Sequence, residues 1–416
     1  MSPGRPVPWY REVSPAQWRV LLAAQMGWML DAMDVMLYAF ALSKIQDEFH
    51  LSAAAAGALA SATLVTSAAG GILAGWLADR FGRTRALIGS ILAYSIFTAL
   101  TATAGSLAEL VLWRSLVGIG LGGEWAAGAV LVSESWPSAH RGKAIGLMQG
   151  GWAIGYILAA LLSAAVLPVY GWRVLFALGV LPALFTIWIQ RSVPESAVWR
   201  ETRAQPAPPA GRGVGSIFRP PLRRVTLLAV ALTTSVLFAY WGLFTWIPSF
   251  LAKPAAEGGA GLGIVKSSAW IIPMQVGAFL GYTLFGFLAD RFGRRPVFVV
   301  FLAWAAVLAP VYGQLARHET LLLVLGPLIG FFGHGYFSVF GAMLAELFPT
   351  RIRGFAQGLT YNIGRAVSAL APWSIGALAD RYGIGSALAL TAAFFVAGAV
   401  LMLRLPETRG QDLTAE

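Results

Sequence analysis

The seven residues Leu77-Ala78-Asp79-Arg80-Phe81-Gly82-Arg83 recur without a change as Leu288-Ala289-Asp290-Arg291-Phe292-Gly293-Arg294, 211 positions later. Each copy is a short charged segment that follows a long apolar run and a glycine, Gly75 or Gly286. A charged turn at the end of an apolar run is typical of a tight connection between two membrane helices. The repeat also indicates that one half of the chain is a duplicate of the other.

The composition predicts that most of the chain lies in lipid. Of its 416 residues, 57% are hydrophobic and 12% are charged, and the mean hydropathy is +0.69. A soluble enzyme carries about a quarter charged residues. The net charge of +11 would suit nucleic-acid binding, but the basic residues lie at the ends of apolar runs and do not line one face. We therefore expect no nucleic-acid partner.

Residue counts also argue against several kinds of site. The chain has no cysteine, so disulfides and thiol-bound metals are impossible, and its four histidines are scattered. We expect no metal site, no cofactor and, without a nucleophile–base set or a phosphate loop, no enzymatic activity. The polar segment 1–19 lacks the apolar core and cleavage site of a signal peptide. The first apolar run is therefore expected to be the first membrane helix.

Runs of about 20 apolar residues can cross a bilayer as helices, and the sequence contains twelve. They are expected near 18–42, 52–78, 86–105, 107–134, 143–168, 172–190, 225–251, 262–289, 296–315, 319–346, 354–379 and 385–404. The polar, proline-containing segment 191–224 separates the sixth run from the seventh. The predicted fold class is an all-α membrane protein with two pseudo-symmetric halves, 1–190 and 225–416, joined by the flexible linker 191–224.

The distribution of basic residues predicts the orientation in the membrane. In this layout, 22 of the 30 lysines and arginines lie on the side that holds both termini, the linker and both repeated turns. Six lie on the other side, and Arg114 and Arg365 fall inside helices. Because cytosolic loops are rich in Lys and Arg, both termini are expected in the cytosol, with the chain in the cell membrane.

A second motif repeats at nearly the same offset. Glu134-Ser135-Trp136-Pro137, followed by Arg141, matches Glu346-Leu347-Phe348-Pro349, followed by Arg353, 212 positions later. Two motifs at one offset make chance an implausible explanation of the repeats. Parallel repeats of six helices, related by an axis along the membrane normal, are the architecture of one class of transporters.

At these motifs the chain resembles the major facilitator superfamily over essentially its whole length. The segment from Gly75 to Arg83 is similar to the family's signature between its second and third helices. Arg114-x-x-x-Gly118-x-Gly120 is similar to its fourth-helix motif. The resemblance implies a monomeric, twelve-helix secondary transporter that works by rocker-switch alternating access.

Within that family, three segments resemble the branch that carries organic acids with protons. They are Gly120 to Trp125 followed by Glu134, Asp31-Ala32-Met33-Asp34, and Tyr240 to Ser249. The second resembles the Asp-x-x-Asp of aromatic-acid:proton symporters and is closest to nicotinate transporters. Alanine at position 32, where aromatic-acid symporters usually have glycine, favours nicotinate over benzoate. The chain lacks the seventh-helix glutamines of sugar porters and the fifth-helix Gly-Pro of drug antiporters, which favours acid symport.

The resemblance therefore implies uptake of a small aromatic or heteroaromatic monocarboxylate, such as nicotinate, together with a proton as the coupling ion. Four alternatives stay open at this point. They are another organic acid, benzoate-like or sialate-like; a sugar; export in place of uptake; and a sensor that binds its ligand without moving it.

Two aspartates lie near the middle of the first predicted helix. Asp31 and Asp34 share a helical face at mid-bilayer depth. Each would cost about 2.5–3.5 kcal/mol in lipid, so both must face protein or water. Two carboxylates this close cannot both ionise cheaply, and one is expected to hold a proton reversibly. The alternative is that one of them forms a permanent structural ion pair with Arg114.

Three further charged residues are expected inside helices. Arg114 needs an acidic partner, and the family resemblance implies that it couples to the first-helix acid. Glu124, in the same helix, is expected either to titrate or to hydrogen-bond within a glycine-rich packing seam. Arg365, beside Asn362 in the eleventh helix, is a candidate to bind a substrate carboxylate. A bridge to a neighbouring acid is the alternative for Arg365.

The other substrate-site candidates are neutral or aromatic. His334 is expected either to carry protons or to be an interior histidine held by hydrogen bonds. The resemblance implies that helices one, four, seven and ten line the cavity, which favours Tyr240, Trp241 and Tyr336 as walls for a planar ring. Lipid contact or helix packing is the alternative. The remaining candidates are Trp28, Trp152, Tyr361, Gln149 and Gln275.

The repeated motifs are expected to form a gate on the cytosolic side. Their aspartates could cap neighbouring helices, and the two glutamates are expected to face the arginines of the turns. Such bridges would break when the halves rock; the alternative is that the basic turns only hold the loops inside. The predicted gate residues are Asp79, Arg80, Arg83, Glu134 and Arg141, with Asp290, Arg291, Arg294, Glu346 and Arg353 as their counterparts.

Overall fold

The computed structural model describes residues 9–137, 141–196, 199–200, 217–348 and 353–408. These residues form a bundle of long helices, and the described part of the chain contains no β-strand. In lipid, a spanning segment must satisfy its own backbone polar groups, and a helix does so within each segment. The all-α architecture expected from the composition is present.

The first half of the chain forms six membrane spans. Their helices are Pro15–Phe49, Ala53–Phe81, Arg83–Thr101, Leu107–Ser135, Arg141–Ala177 and Leu181–Ser192. The fifth of these helices contains a turn at Gly171, which has φ 75° and ψ 179°. The fifth span therefore ends at this turn, and the sixth begins after it and continues through Leu178–Val180 into the last helix.

The second half also forms six spans, and four of them consist of two consecutive helices. The seventh is Arg223–Phe244 with Ile247–Ala252, the eighth Gly263–Phe292, the ninth Arg294–Gln314, the tenth Glu319–His334 with Phe337–Glu346, the eleventh Arg353–Ser368 with Leu370–Tyr382, and the twelfth Ile384–Ala387 with Leu390–Leu403. Nine stretches of the described residues are long and apolar enough to cross a membrane unaided. One of these stretches contains both the fifth and the sixth span. The tenth and eleventh spans are each interrupted and are not among the nine, so the total is twelve spans.

The first span shows why hydropathy misplaces helix ends. It begins at a capping box, in which Ser14 Oγ accepts from the Gln17 N–H and Gln17 Oε1 accepts from the Ser14 N–H. Its predicted end was residue 42, but the helix continues to Phe49. The polar last turns stay helical, and Glu48 there accepts hydrogen bonds from Trp172 and Arg173, both at 2.6 Å. Hydropathy detects the apolar part of a helix, not its hydrogen-bonded end.

Besides the longer connection after the seventh span, which holds Gly258, Gly261 and Gly263, four turns between spans contain a glycine with positive φ, a conformation that other residues rarely adopt. They are Gly82 (113°), Gly171 (75°), Gly293 (98°) and Gly383 (80°). The turns follow the second, fifth, eighth and eleventh spans, so each group of three spans has one. The last is preceded by Gly376-Ala377-Leu378-Ala379-Asp380-Arg381-Tyr382, a third copy of the repeated charged turn that the comparison of the two halves missed. Since eleven spans precede it, this copy lies on the side opposite the termini.

The third copy joins the two halves on that opposite side. Asp380 accepts hydrogen bonds from the backbone N–H groups of Ala53 (2.7 Å) and Ala54 (2.9 Å), the first two residues of the second span. A carboxylate is favourable at a helix N-terminus. Close by, a Cβ on Gly57 would lie 2.3 Å from the Pro372 carbonyl oxygen. The second and eleventh spans therefore meet backbone to backbone, and a side chain at position 57 would separate them.

We expect Asp380→Asn to lower the equilibrium constant for forming this contact about fivefold, since the loss of a helix cap costs about 1 kcal/mol. Gly57→Leu should block the contact sterically. The chain has no cysteine, so Thr245→Cys, between the halves, can serve as the only thiol. An impermeant maleimide added from the side opposite the termini should label Thr245→Cys faster in both variants. Asp47→Asn, at an exposed acid on the same side, is the control. Equal labelling rates in all proteins would contradict the expectation that this contact closes the space between the halves on the side opposite the termini.

Candidate functional site

A narrow cavity with about 30 Å³ of free space lies between the two halves. Its walls come from the first, second, fourth, fifth, seventh and eleventh spans, so both halves contribute. The charged residues that line it are Asp31, Arg114 and Arg365, and its aromatic residues are Tyr38, Trp152 and Trp241. An apolar cavity with a few converging charged groups is the usual form of a small-molecule site.

Arg114 and Asp34 are buried together inside the first half. They are 1% and 0% exposed, and each exerts the strongest opposite-charge attraction on the other, although no direct ion pair joins them among the described residues. The Arg114 guanidinium also lies 4.9 Å from the ring centre of Tyr38 and 5.8 Å from that of Phe176. Aromatic faces attract a cation. The structure thus places the fourth-span arginine and a first-span acid in one buried group without a direct ion pair, and the coupling of the two stays a prediction.

Asp31 faces the second half across the cavity. Its side chain is 2% exposed, and the cation that acts on it most strongly is Arg365 of the eleventh span. The two residues are not among the direct ion pairs of the described residues. The acid that acts on Arg365 therefore comes from the first half, and both residues line the cavity.

Glu124 lies behind the cavity wall, in the interior of the first half. It is fully buried, and its two oxygens have no hydrogen-bond partner among the described residues. Gly27 of the first span makes room for it, since a Cβ at that position would lie 2.4 Å from Glu124 Oε1. Asp31 is the charge that acts on Glu124. The structure therefore places Glu124 in one electrostatic cluster with the first-span acids, and also against a glycine.

Tryptophans provide flat surfaces in and around the cavity. Trp152 and Trp241 line it, with ring centres 6.0 Å apart and planes at 82°. Trp28 packs behind Trp152, with ring centres 4.5 Å apart and planes at 41°. Trp125 stacks on Tyr361 at 5.1 Å and joins the two halves on the termini side of the cavity. Trp241 Nε1 has no partner among the described residues, so it is an N–H donor that an anion in the cavity could use.

Several predicted substrate-site residues do not line this cavity. Gln149 accepts from Trp125 Nε1 (3.0 Å), and Asn362 donates to the Gly358 carbonyl of its own helix (2.9 Å). In a membrane bundle, packed and cavity-lining faces are both rich in small and apolar residues, so sequence patterns separate them poorly. The residues behind the cavity wall are Trp28, Gln149, Tyr240, Gln275, His334, Tyr336, Tyr361 and Asn362.

The two identical turns form equivalent ion pairs on the termini side. Arg83 lies 3.2 Å from Glu134, and Arg294 pairs with Glu346 in the same way. Each pair joins helices of a single half. Motion of one half against the other therefore does not by itself break these pairs, and a gate needs further contacts.

The other predicted gate residues add no contact between the halves in the described part of the chain. Arg80 and Arg291 are exposed, and their guanidinium groups lie 5.6 and 5.3 Å from the rings of Phe81 and Phe292. The gating role of the set stays a prediction. The side chains of four members lie outside the described part of the structure: Asp79, Arg141, Asp290 and Arg353.

Two glutamates that the sequence analysis missed complete the termini-side clusters. Glu195 accepts hydrogen bonds from the first two backbone N–H groups of the third span, at 2.8 and 3.2 Å. Glu407 does the same for the ninth span, at 3.0 Å each. The signal was present in the sequence, because Pro194-Glu195-Ser196 and Pro406-Glu407-Thr408 are 212 positions apart. The segment that follows the last span of each half therefore caps a helix next to the charged turn of that half.

The family model of the Major Facilitator Superfamily matches residues 26–274 and 267–415. The chain belongs to this superfamily. The matches cover nearly the whole sequence, which confirms the resemblance seen in the repeated turns. Because this is a family of transporters and not of enzymes, the expectation of no enzymatic activity is also confirmed.

The structure of the xylose transporter XylE from E. coli in a partially occluded inward open conformation matches with a TM-score of 0.77 and 20% identity, over 96% of this chain and 100% of that one. At this identity the match shows the shared fold, twelve spans in two halves.

Two relatives from Acinetobacter baylyi are similar to this superfamily member over most of its length. The chain is 34% identical to the cis,cis-muconate transport protein, over 94% of this chain and 95% of the relative. It is 31% identical to the niacin transporter NiaP, over 85% of each. Relatives with different substrates are thus almost equally similar, so overall identity does not select one substrate.

We expect Gly27→Ala to disturb the Glu124 environment, because the added Cβ would meet the carboxylate. Gly89→Ala is the matched control, since a Cβ there has no heavy atom within 4 Å. Overpacking costs about 1–3 kcal/mol, so Gly27→Ala should lower both the thermal stability in detergent and the transport rate. Gly89→Ala should leave both unchanged or raise stability slightly. Equal behaviour of the two variants would contradict the tight packing of Glu124 on the first span.

Proposed function

We propose that this transporter takes up a small planar organic monocarboxylate, such as nicotinate, together with a proton across the cell membrane. It works as a monomer by rocker-switch alternating access, with both termini in the cytosol. The moving bodies are the halves 1–190 and 225–416. The linker is 191–224, of which 197–198 and 201–216 lie outside the described residues.

The observation that carries this proposal is the charge balance around the cavity. Three acids, Asp31, Asp34 and Glu124, stand against two bases, Arg114 and Arg365. An uncompensated charge in a low-dielectric interior is costly. One proton on the acids balances the cluster when no substrate is bound. A bound monocarboxylate adds one negative charge, and a second proton restores the balance, so each substrate anion enters with one proton.

The cavity geometry supports this substrate class. Arg365 can hold a carboxylate by two parallel N–H···O bonds, in competition with Asp31, which then takes up the proton. Trp241 Nε1 supplies one more donor. The indole faces of Trp152 and Trp241 suit a flat ring. Muconate and niacin, named in two relatives, are both carboxylic acids, which also supports an acid as the substrate.

The test is uptake into proteoliposomes with an imposed pH gradient. The substrates are nicotinate, benzoate, cis,cis-muconate, a sialate and a hexose. We expect a planar monocarboxylate to accumulate when the acidic side is outside. Accumulation of the hexose alone, expulsion of the acid by the same gradient, or tight binding with no transport would overturn the proposal in favour of sugar transport, export or sensing.

Asp31→Asn and Asp34→Asn are expected to lose proton-driven accumulation but to retain exchange of labelled for unlabelled substrate. The reason is that exchange moves the loaded carrier back and forth without releasing its proton. Asp34→Asn removes the acid that acts most strongly on the buried Arg114, and an unbalanced buried charge is costly, so the folding of this variant is checked by gel filtration. Glu109→Gln, at an exposed acid of the fourth span, should behave as wild type. Full accumulation by both aspartate variants would contradict proton coupling through this pair.

A further inference from the structure

Three buried side chains form a hydrogen-bonded chain that ends at the cavity wall. Trp152 of the fifth span donates from Nε1 to the Tyr240 hydroxyl of the seventh span at 2.6 Å. That hydroxyl lies 3.4 Å from Nε2 of His334 in the tenth span, and His334 Nδ1 lies 3.1 Å from the Gly330 carbonyl oxygen. All three side chains are 5% exposed or less.

The partners determine the position of every proton in this chain. The indole N–H of Trp152 only donates, so the Tyr240 oxygen accepts from it. The Gly330 carbonyl only accepts, so His334 carries its proton on Nδ1. A neutral ring is favoured in this buried site, so Nε2 is an acceptor and takes a hydrogen bond from the Tyr240 hydroxyl. His334 thus sets the direction of the Tyr240 hydroxyl, and through it the position of the Trp152 indole.

This hydrogen-bonded chain of side chains also connects the two halves of the transporter. Trp152 belongs to the first half, and Tyr240 and His334 to the second. One helical turn further along, Tyr156 donates to the Phe244 carbonyl oxygen at 3.0 Å, which keeps the fifth and seventh spans in the same register. Trp152 is the member that lines the cavity. Its ring packs at a tilt against Trp28, with ring centres 4.5 Å apart, and stands nearly perpendicular to Trp241.

We propose that His334 is a positioning residue for substrate selectivity, which acts through Tyr240 to hold the Trp152 indole as a flat wall for a planar acid. His334 does not touch the substrate and carries no transported proton in this assignment. This proposal rests on the proposed function, since it names the structural basis for preferring a planar ring. Without an acceptor at the His334 position, the Tyr240 hydroxyl and the indole lose their fixed direction, and the wall no longer discriminates by shape.

Benzoate and cyclohexanecarboxylate are the matched probes, because they share a carboxylate and a six-membered ring but differ in planarity. The measurement is the ratio of their KM values, or of their inhibition constants against whichever acid is transported. Wild type is expected to prefer benzoate. His334→Leu and Tyr240→Phe should each reduce this preference by about fivefold, the change expected for one buried neutral hydrogen bond. The maximal rate and the pH profile of uptake should change little.

Two further variants separate positioning from a general structural effect. His334→Gln can place an amide oxygen near the Nε2 position, so it should restore most of the preference. Tyr312→Phe removes a buried hydroxyl that has no hydrogen-bond partner among the described residues, and it should keep the wild-type ratio. The double variant His334→Leu with Tyr240→Phe should be no worse than either single variant, because both changes break the same chain.

The proposal is overturned if His334→Leu or Tyr240→Phe, recovered as a folded protein, keeps the wild-type ratio, or if their effects add. It is also overturned if His334→Leu loses proton-driven accumulation and retains exchange, since His334 would then be a proton carrier. A wild type that transports acids without preferring the planar one overturns the proposal and leaves proton-coupled acid uptake standing. A wild type that transports no acid overturns the proposed function itself.

Discussion

The constraint on which the rest of the structure depends is that charged groups inside an apolar bundle must be balanced by other charged groups. Asp34 lies at 0% exposure in the first half, where Arg114 is the opposite charge that acts on it, and Arg114 is enclosed by the rings of Tyr38 and Phe176. Around the cavity this balance is incomplete by one charge. A cluster that is close to neutral, but not neutral, responds to both a proton and an anion, and the two responses are coupled by electrostatics alone.

The same type of charged turn, ending in a glycine, connects helices on both sides of the membrane. The turns at Gly82, Gly293 and Gly383 share the preceding charged sequence and a positive φ. What differs is the residues that follow. Arg83 and Arg294 continue the first two turns, whereas Ile384 continues the third. The backbone geometry of the turn therefore requires the glycine, whereas the presence of basic residues after it depends on the side of the membrane on which the turn lies. On the side opposite the termini, Asp380 of the third turn caps a helix of the other half.

The sequence was sufficient to predict the helical architecture, because apolar length and charged turns are local properties of a membrane chain. It was also sufficient to find Asp31, Asp34 and Arg114, since a charge inside an apolar run stands out. It was less informative about neutral residues. Tyr336 and Gln275 were expected near the substrate but lie behind the cavity wall, because apolar packing faces and apolar cavity faces have similar compositions. Glu195 and Asp380 were not predicted, although Pro194-Glu195 recurs as Pro406-Glu407 and Asp380 lies in a third copy of the charged turn.

By itself, the sequence determined the number of spans, the internal duplication and the presence of buried acids and bases, since each follows from composition along the chain. Only the tertiary structure decided which of these groups meet. Asp31 faces Arg365, 334 positions away in the other half, and Trp152 is oriented by His334 through Tyr240. Helical periodicity gives the face of one helix, whereas a site between halves depends on how several helices rotate and tilt against each other. That arrangement results from packing over the whole bundle, such as the contact of Gly57 with Pro372, and no local stretch encodes it.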